Sequence, residues 1–169
     1  MNNVLTQNSN GEQQAFADLV KVGIHWDTEV SSPKTFLKDP IDGKWRAILT
    51  PPHRVCQVYC SSIPISYSPH KHVQEVWRPL ACAVLNAEFE ATIAVAAILS
   101  AQRNERVKVF LCPIGAGVFG NEIEWVSIAI KEALTKYQSA RIDVHLVHYG
   151  RISNLDQYTV LNSFLKPSL

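Results

Sequence analysis

Apolar positions along this chain follow two different periods, and stretches of each alternate. From about Val73 to Gln102, Trp77, Leu80, Val84, Leu85, Ile93, Val95, Ile98 and Leu99 return at the spacing of an amphipathic helix. Ala81, Ala83, Ala87, Ala91, Ala94, Ala96 and Ala97 fill much of the remaining surface, which predicts a helix packed close against its neighbours. Ile123, Val126, Ile130 and Leu134 predict a second helix from about Glu122 to Tyr137. Strand patterns lie between these. Val20, Val22 and Ile24 alternate with Lys21, Gly23 and His25, and the pattern ends in His25-Trp26-Asp27-Thr28-Glu29. Arg54–Ser61, Val107–Cys112 and Ile142–Tyr149 are short apolar runs that read as further strands.

Weaker signals complete the order. Gly11–Leu19 predicts a short helix burying Phe16 and Leu19, and Asn154–Leu165 a last one using Leu155, Tyr158, Leu161 and Phe164. Residues 1–11 are polar and predict a disordered start. Ser31–Pro52 carries Pro33, Pro40, Gly43 and the Pro51-Pro52 pair, so turn chemistry dominates it. It predicts a long loop anchored by Trp45 and Ile48, in the position of a lid. The sum is an α/β fold with a largely parallel sheet between helices, in one domain over residues 1–169. Ligands of such folds sit at the carboxyl ends of the strands. Asp27, the Ser61–Ser68 loop and Gly115–Asn121 all follow predicted strands.

Composition narrows the function classes. With 47% hydrophobic and only 18% charged residues, the chain is able to bury a substantial core. Sixteen basic and 15 acidic residues give a net charge of +1, and no run of like charge reaches five. No nucleic-acid surface is therefore expected. Neither a signal sequence nor about 18 uninterrupted apolar residues is present, so no membrane segment is expected. Cys56, Cys60, Cys82 and Cys112 form no CxxC pair and lie in apolar segments, which predicts buried, reduced thiols. Together these suggest the cytoplasm, or an effector delivered to a host cytosol. No metal-ligand spacing is present, and no cofactor is expected.

The densest signal is Val107–Trp125, VKVFLCPIGAGVFGNEIEW. A strand, a turn with Gly115, Gly117 and Gly120, and a helix is the arrangement that aims backbone N–H groups at a phosphate. Gly115-Ala116-Gly117-Val118-Phe119-Gly120 satisfies GxGxxG literally. The acidic residue that a dinucleotide fold places about 20 positions on is missing, because the next strand ends His148-Tyr149-Gly150. A nicotinamide-dependent oxidoreductase therefore ranks last.

The segment ATIAVAAILSAQRNERVKVFLCPIGAGVFGNEIEWVSIAIKEAL resembles the C-terminal half of a macro domain: helix, strand, a glycine loop of the form [ST/G]-G-x-[YF]-G, and helix. The resemblance covers roughly residues 73–150. It implies a macro-like three-layer α/β/α fold with a mixed, largely parallel sheet, lacking part of the N-terminal half. In that family the loop cradles the diphosphate of ADP-ribose and its aromatic lies against a ribose. Carried over by position, Ile114, Gly115, Ala116, Gly117, Val118, Phe119 and Gly120 supply the loop, with Phe119 the aromatic and Asn121 an N-cap at the helix start. Tyr149, at a strand end, either stacks near adenine or packs in the core. The Asn-x-Ala-Asn element common in macro domains is absent; GIHWDTEV and VYCSSIPISYS resemble instead a divergent branch of macro-type ADP-ribosyl hydrolases that relies on acidic residues.

Glycosidic cleavage of ADP-ribose needs a carboxylate near an oxocarbenium-like centre. Asp27 is the first candidate and Glu29 the second; the alternative for both is a solvated acid in a turn. Ser61, Ser62 and Ser66 either contact ligand or form turns, and the turn reading is preferred. The partner expected is ADP-ribose or an ADP-ribosylated protein. Hydrolysis of an ADP-ribosyl linkage and non-catalytic reading of ADP-ribose are the two leading functions.

Overall fold

The computed structural model describes residues 10–30, 34–39, 41–49, 53–71, 73–148 and 155–161. The chain divides into two compact units, one formed by Met1–Val22 with Cys60–Leu169 and the other by Gly23–Tyr59.

The smaller unit consists of two antiparallel ribbons. Strand β1 (Gly23–Glu29) pairs with β4 (Arg54–Tyr59), from Gly23 opposite Tyr59 to Glu29 opposite Arg54. The register shifts between His25 and Thr28, so Trp26 and Asp27 together face the single residue Cys56 across a β-bulge. Strands β2 (Lys34–Lys38) and β3 (Trp45–Leu49) form a hairpin where the sequence predicts a loop. Its turn is tightly specified. Asp39 accepts the Ile41 and Gly43 N–H groups, Asp42 accepts the Lys44 N–H, and the Arg46 guanidinium bridges Asp39 at 3.2 Å and Asp42 at 2.7 Å. Trp45 is exposed rather than an anchor; the Ile48 side chain lies outside the described residues.

In the larger unit the helical periods hold. Helix α2 (Gln74–Arg103) runs through Pro79 and stops at Asn104, which takes the left-handed conformation and closes the end through N–H bonds to the last carbonyls. Helix α3 (Ile123–Lys136) packs on it. Ala81, Leu85, Phe89, Ile93 and Ala96 of α2 meet Trp125, Val126, Ala129, Ile130 and Ala133 of α3 in one core. Each large side chain buried there contributes roughly 1.5–3 kcal/mol. Strands β5 (Val107–Leu111) and β6 (Ile142–Leu146) pair in parallel, Val107 opposite Ile142 through Leu111 opposite Leu146. Val109 and Leu111 face the core. Phe110, on the other face, is exposed and stacks on His145 at 5.3 Å.

Three expectations change. The described strands form three two-stranded sheets, of which only β5–β6 is parallel. Helix α1 (Asn10–Ala17) buries Ala17, leaving Phe16 on the helix and Leu19 in the turn after it 41% and 75% exposed. Tyr158 and Leu161 reach the core from a run of 3-10 turns, Leu155–Leu161, rather than from an α-helix. By length and composition α2 is apolar enough to cross a membrane, yet half of that stretch is buried within the fold.

Candidate functional site

The glycine turn leaves the carboxyl end of β5. Gly115 and Gly120 are both left-handed, at φ +87° and +77°. What makes glycine necessary is also what lies against them. A Cβ on Gly115 would stand 2.5 Å from Ser62 Oγ, and one on Gly120 would stand 2.1 Å from Ser66 Oγ. Such approaches are closer than side chains tolerate, so the segment after β4 is wedged against the turn at two points. Gly120→Ala is expected to cost about 2 kcal/mol from backbone conformation and crowding together. Adding Ser66→Gly should return part of that loss in urea denaturation, because only the crowding is relieved.

Asn121 ties the two segments together. It is 4% exposed, and its Nδ2 donates to the Ile63 carbonyl at 2.9 Å and the Gly115 carbonyl at 3.0 Å. Its backbone N–H also donates to Gly115 O at 3.0 Å. Asn121 is therefore not the N-cap of α3: Glu122 holds that position, with no side-chain cap. The Asn121 Nδ2 thus holds two loops, while its buried Oδ1 has no partner among the described residues.

The outer side of the turn is open. Ile114, Ala116, Gly120 and Asn121 donate their N–H groups within the turn. Those of Gly115, Gly117 and Val118 have no acceptor among the described residues. Nothing stands within 4 Å of where a Gly117 Cβ would be. At the rim, the half-buried Phe119 ring meets the exposed Tyr67 ring edge to face at 5.9 Å. Val118 is exposed. Free backbone donors beside open space and two aromatic faces are what an anionic, ring-bearing ligand requires.

Beneath this wall stands an acid that the helical pattern concealed. Glu88 of α2 is 2% exposed, and its Oε1 accepts the Ser61 N–H at 2.9 Å, while Oε2 has no partner among the described residues. Burial, only partly offset by the Ser61 bond, lifts its carboxyl to about 7. Beside it, burial first and then the Glu88 carboxylate push the Cys60 thiol up to about 11. All four cysteines are free, but none is fully buried as expected: Cys56, Cys60 and Cys82 are half-buried, and Cys112, just after β5, is exposed.

Asp27 and Glu29 belong to the smaller unit. Both are exposed on β1, and Asp27 pairs with Arg54 at 2.7 Å. The pair holds Arg54 above its ordinary value through a hydrogen bond and charge attraction. Tyr149 lies outside the described residues. Three contributors escaped the sequence reading: Tyr67, Glu88, and Ser62 with Ser66 as the wedge rather than as plain turn residues. A glutamate on a helix face between Leu85 and Ile93 was the one available signal.

Compared with known proteins, the chain matches no family model, and neither a curated protein nor a solved structure is detectably similar to it.

Proposed function

We propose that this protein binds ADP-ribose, free or attached to protein, in the manner of a macro domain, with the diphosphate on the Gly115–Gly120 turn. One observation carries the reading: the backbone donors of the exposed Gly117 and Val118 stand without acceptors among the described residues, on a turn that Ser62, Ser66 and Asn121 hold in place. Phe119 and Tyr67 supply the ring faces for a ribose or base. A macro-like three-layer arrangement is part of the same proposal. Free thiols suit a reducing compartment such as the cytoplasm or a host cytosol.

Gly117 offers a clean test, since a side chain there meets nothing. Aspartate and asparagine both tolerate the left-handed conformation and have the same shape. Gly117→Asp is expected to weaken ADP-ribose binding at least about tenfold, or about 1.4 kcal/mol, relative to Gly117→Asn. Calorimetry at two salt concentrations checks this, with NAD as comparator. Absence of saturable ADP-ribose binding in the unaltered chain would sink the proposal.

Hydrolysis of an ADP-ribosyl linkage is the second part of the reading, with Asp27 as the stabilising carboxylate and Glu29 behind it. Asp27→Ala is then expected to abolish release of ADP-ribose from a modified protein while calorimetric affinity stays unchanged. Release at the unaltered rate would leave the protein a reader or move the chemistry elsewhere.

A further inference from the structure

We propose that Glu88 is a positioning residue that works as a proton-operated latch, its protonated carboxyl keeping the 61–68 segment seated on the glycine turn and its ionisation releasing that segment. The inference rests on the reading of the turn as a ligand site only in its purpose; the latch itself is a property of the fold. Glu88 holds the root of the segment through the Ser61 N–H. From there the chain runs directly into the wedge: Ser62 against Gly115, the Ile63 carbonyl on Asn121, Ser66 against Gly120, and Tyr67 against Phe119. Whatever loosens Ser61 loosens that wall of the turn.

Among the described residues, nothing near Glu88 compensates a negative charge. On its own helix, Thr92 donates to the Glu88 backbone carbonyl and leaves the carboxylate alone, and Glu90 is paired with Lys136 of α3. From the 61–68 side the facing group is the Cys60 thiol, which stays neutral through the physiological range, with Cys112 of the β5 end beyond it. Arg106 and Asp143 of the β5–β6 pair bind each other. Asp18 after α1 and Glu132 and Lys136 of α3 line a groove along α2 with Asn86, Ala87 and Glu90. No cation pairs with Glu88 among the described residues, and its Oε2 is without any partner. A buried carboxylate with one hydrogen bond is a strained arrangement that either a proton or exposure to water relieves.

Linkage sets the direction. The seated form binds the proton at about 7, whereas a released, solvated glutamate returns to its ordinary value. Raising pH from 6 to 8 therefore shifts the balance about tenfold toward release. Amide hydrogen exchange on the full chain reads this without a ligand, so the result stands apart from ADP-ribose binding. After correction for intrinsic rates, the amides of Ser61 to Ile63 are expected to open about tenfold more at pH 8 than at pH 6. Glu88→Gln, which keeps the acceptor for Ser61 and cannot ionise, should show equal protection at both. The same ratio in the variant and the unaltered chain would overturn the proposal. So would a carboxyl carbon resonance of Glu88 titrating in the ordinary glutamate range, a measurement that needs no variant to fold.

Discussion

Replacing Asn121 by aspartate is expected to destabilise the larger unit by at least about 4 kcal/mol. At this position two carbonyl oxygens, those of Ile63 and Gly115, point at a single amide nitrogen, and the side chain is buried. Aspartate replaces that donor with an oxygen of nearly the same shape, so three acceptors face one another out of water, one of them charged. Alanine removes the donor without adding charge and should cost less, about 1–3 kcal/mol, because the Ile63 carbonyl is left unmatched while the Gly115 carbonyl keeps the Asn121 backbone N–H. The order of the two variants is therefore diagnostic, because a merely space-filling role predicts the reverse. Urea denaturation at neutral pH checks it. The aspartate variant should recover part of its loss on acidification, when its carboxyl regains a proton to donate. Stability equal to the unaltered chain would show that the amide does not hold the two loops.

Asn121 is also a residue whose role no local sequence pattern shows. The periodic elements were legible because each answers to one rule: α2 and α3 expose their apolar stripe at three-and-four spacing, and Val107–Leu111 alternates between core and solvent. The β2–β3 hairpin was hidden because its prolines and Gly43 lie at and between strands of five residues, too short to show alternation against the turn signals. The glycine turn was legible as a turn but its partner was not. Asn121 beside a helix start reads locally as a cap, whereas its bonds go to Ile63, 58 residues away. Likewise Ser62 and Ser66 read as turn formers; their fit against Gly115 and Gly120 is a tertiary fact that no local pattern encodes. Asp27 shows the opposite case. Its neighbours in sequence suggest a site, whereas its structural surroundings are an exposed ribbon and an arginine.

Glu88 yields the second large effect, a dependence of global stability on pH that a neutral substitute removes. Its carboxyl is raised in the folded chain from 4.5 to about 7, so between those values the folded form holds a proton that the unfolded form has lost. Stability must then fall as pH rises through this window, level off above the folded value, and be free of the penalty below the unfolded one. The direction is opposite to that of a carboxylate in an ion pair, which gains stability over its own window. For this one group the full penalty is on the order of 3 kcal/mol, which corresponds to roughly 2–4 °C of melting temperature per kcal/mol in a chain of this size. Glu88→Gln is therefore expected to be more stable than the unaltered chain at pH 8, with the difference shrinking steadily toward pH 5. Comparing the two proteins at each pH cancels the other carboxylates, including Glu90 in its pair with Lys136. Denaturation at pH 5, 6, 7 and 8 gives the slope directly. A difference that does not change with pH would mean that Glu88 ionises as freely in the fold as in water, and that its missing partner at Oε2 is supplied by solvent.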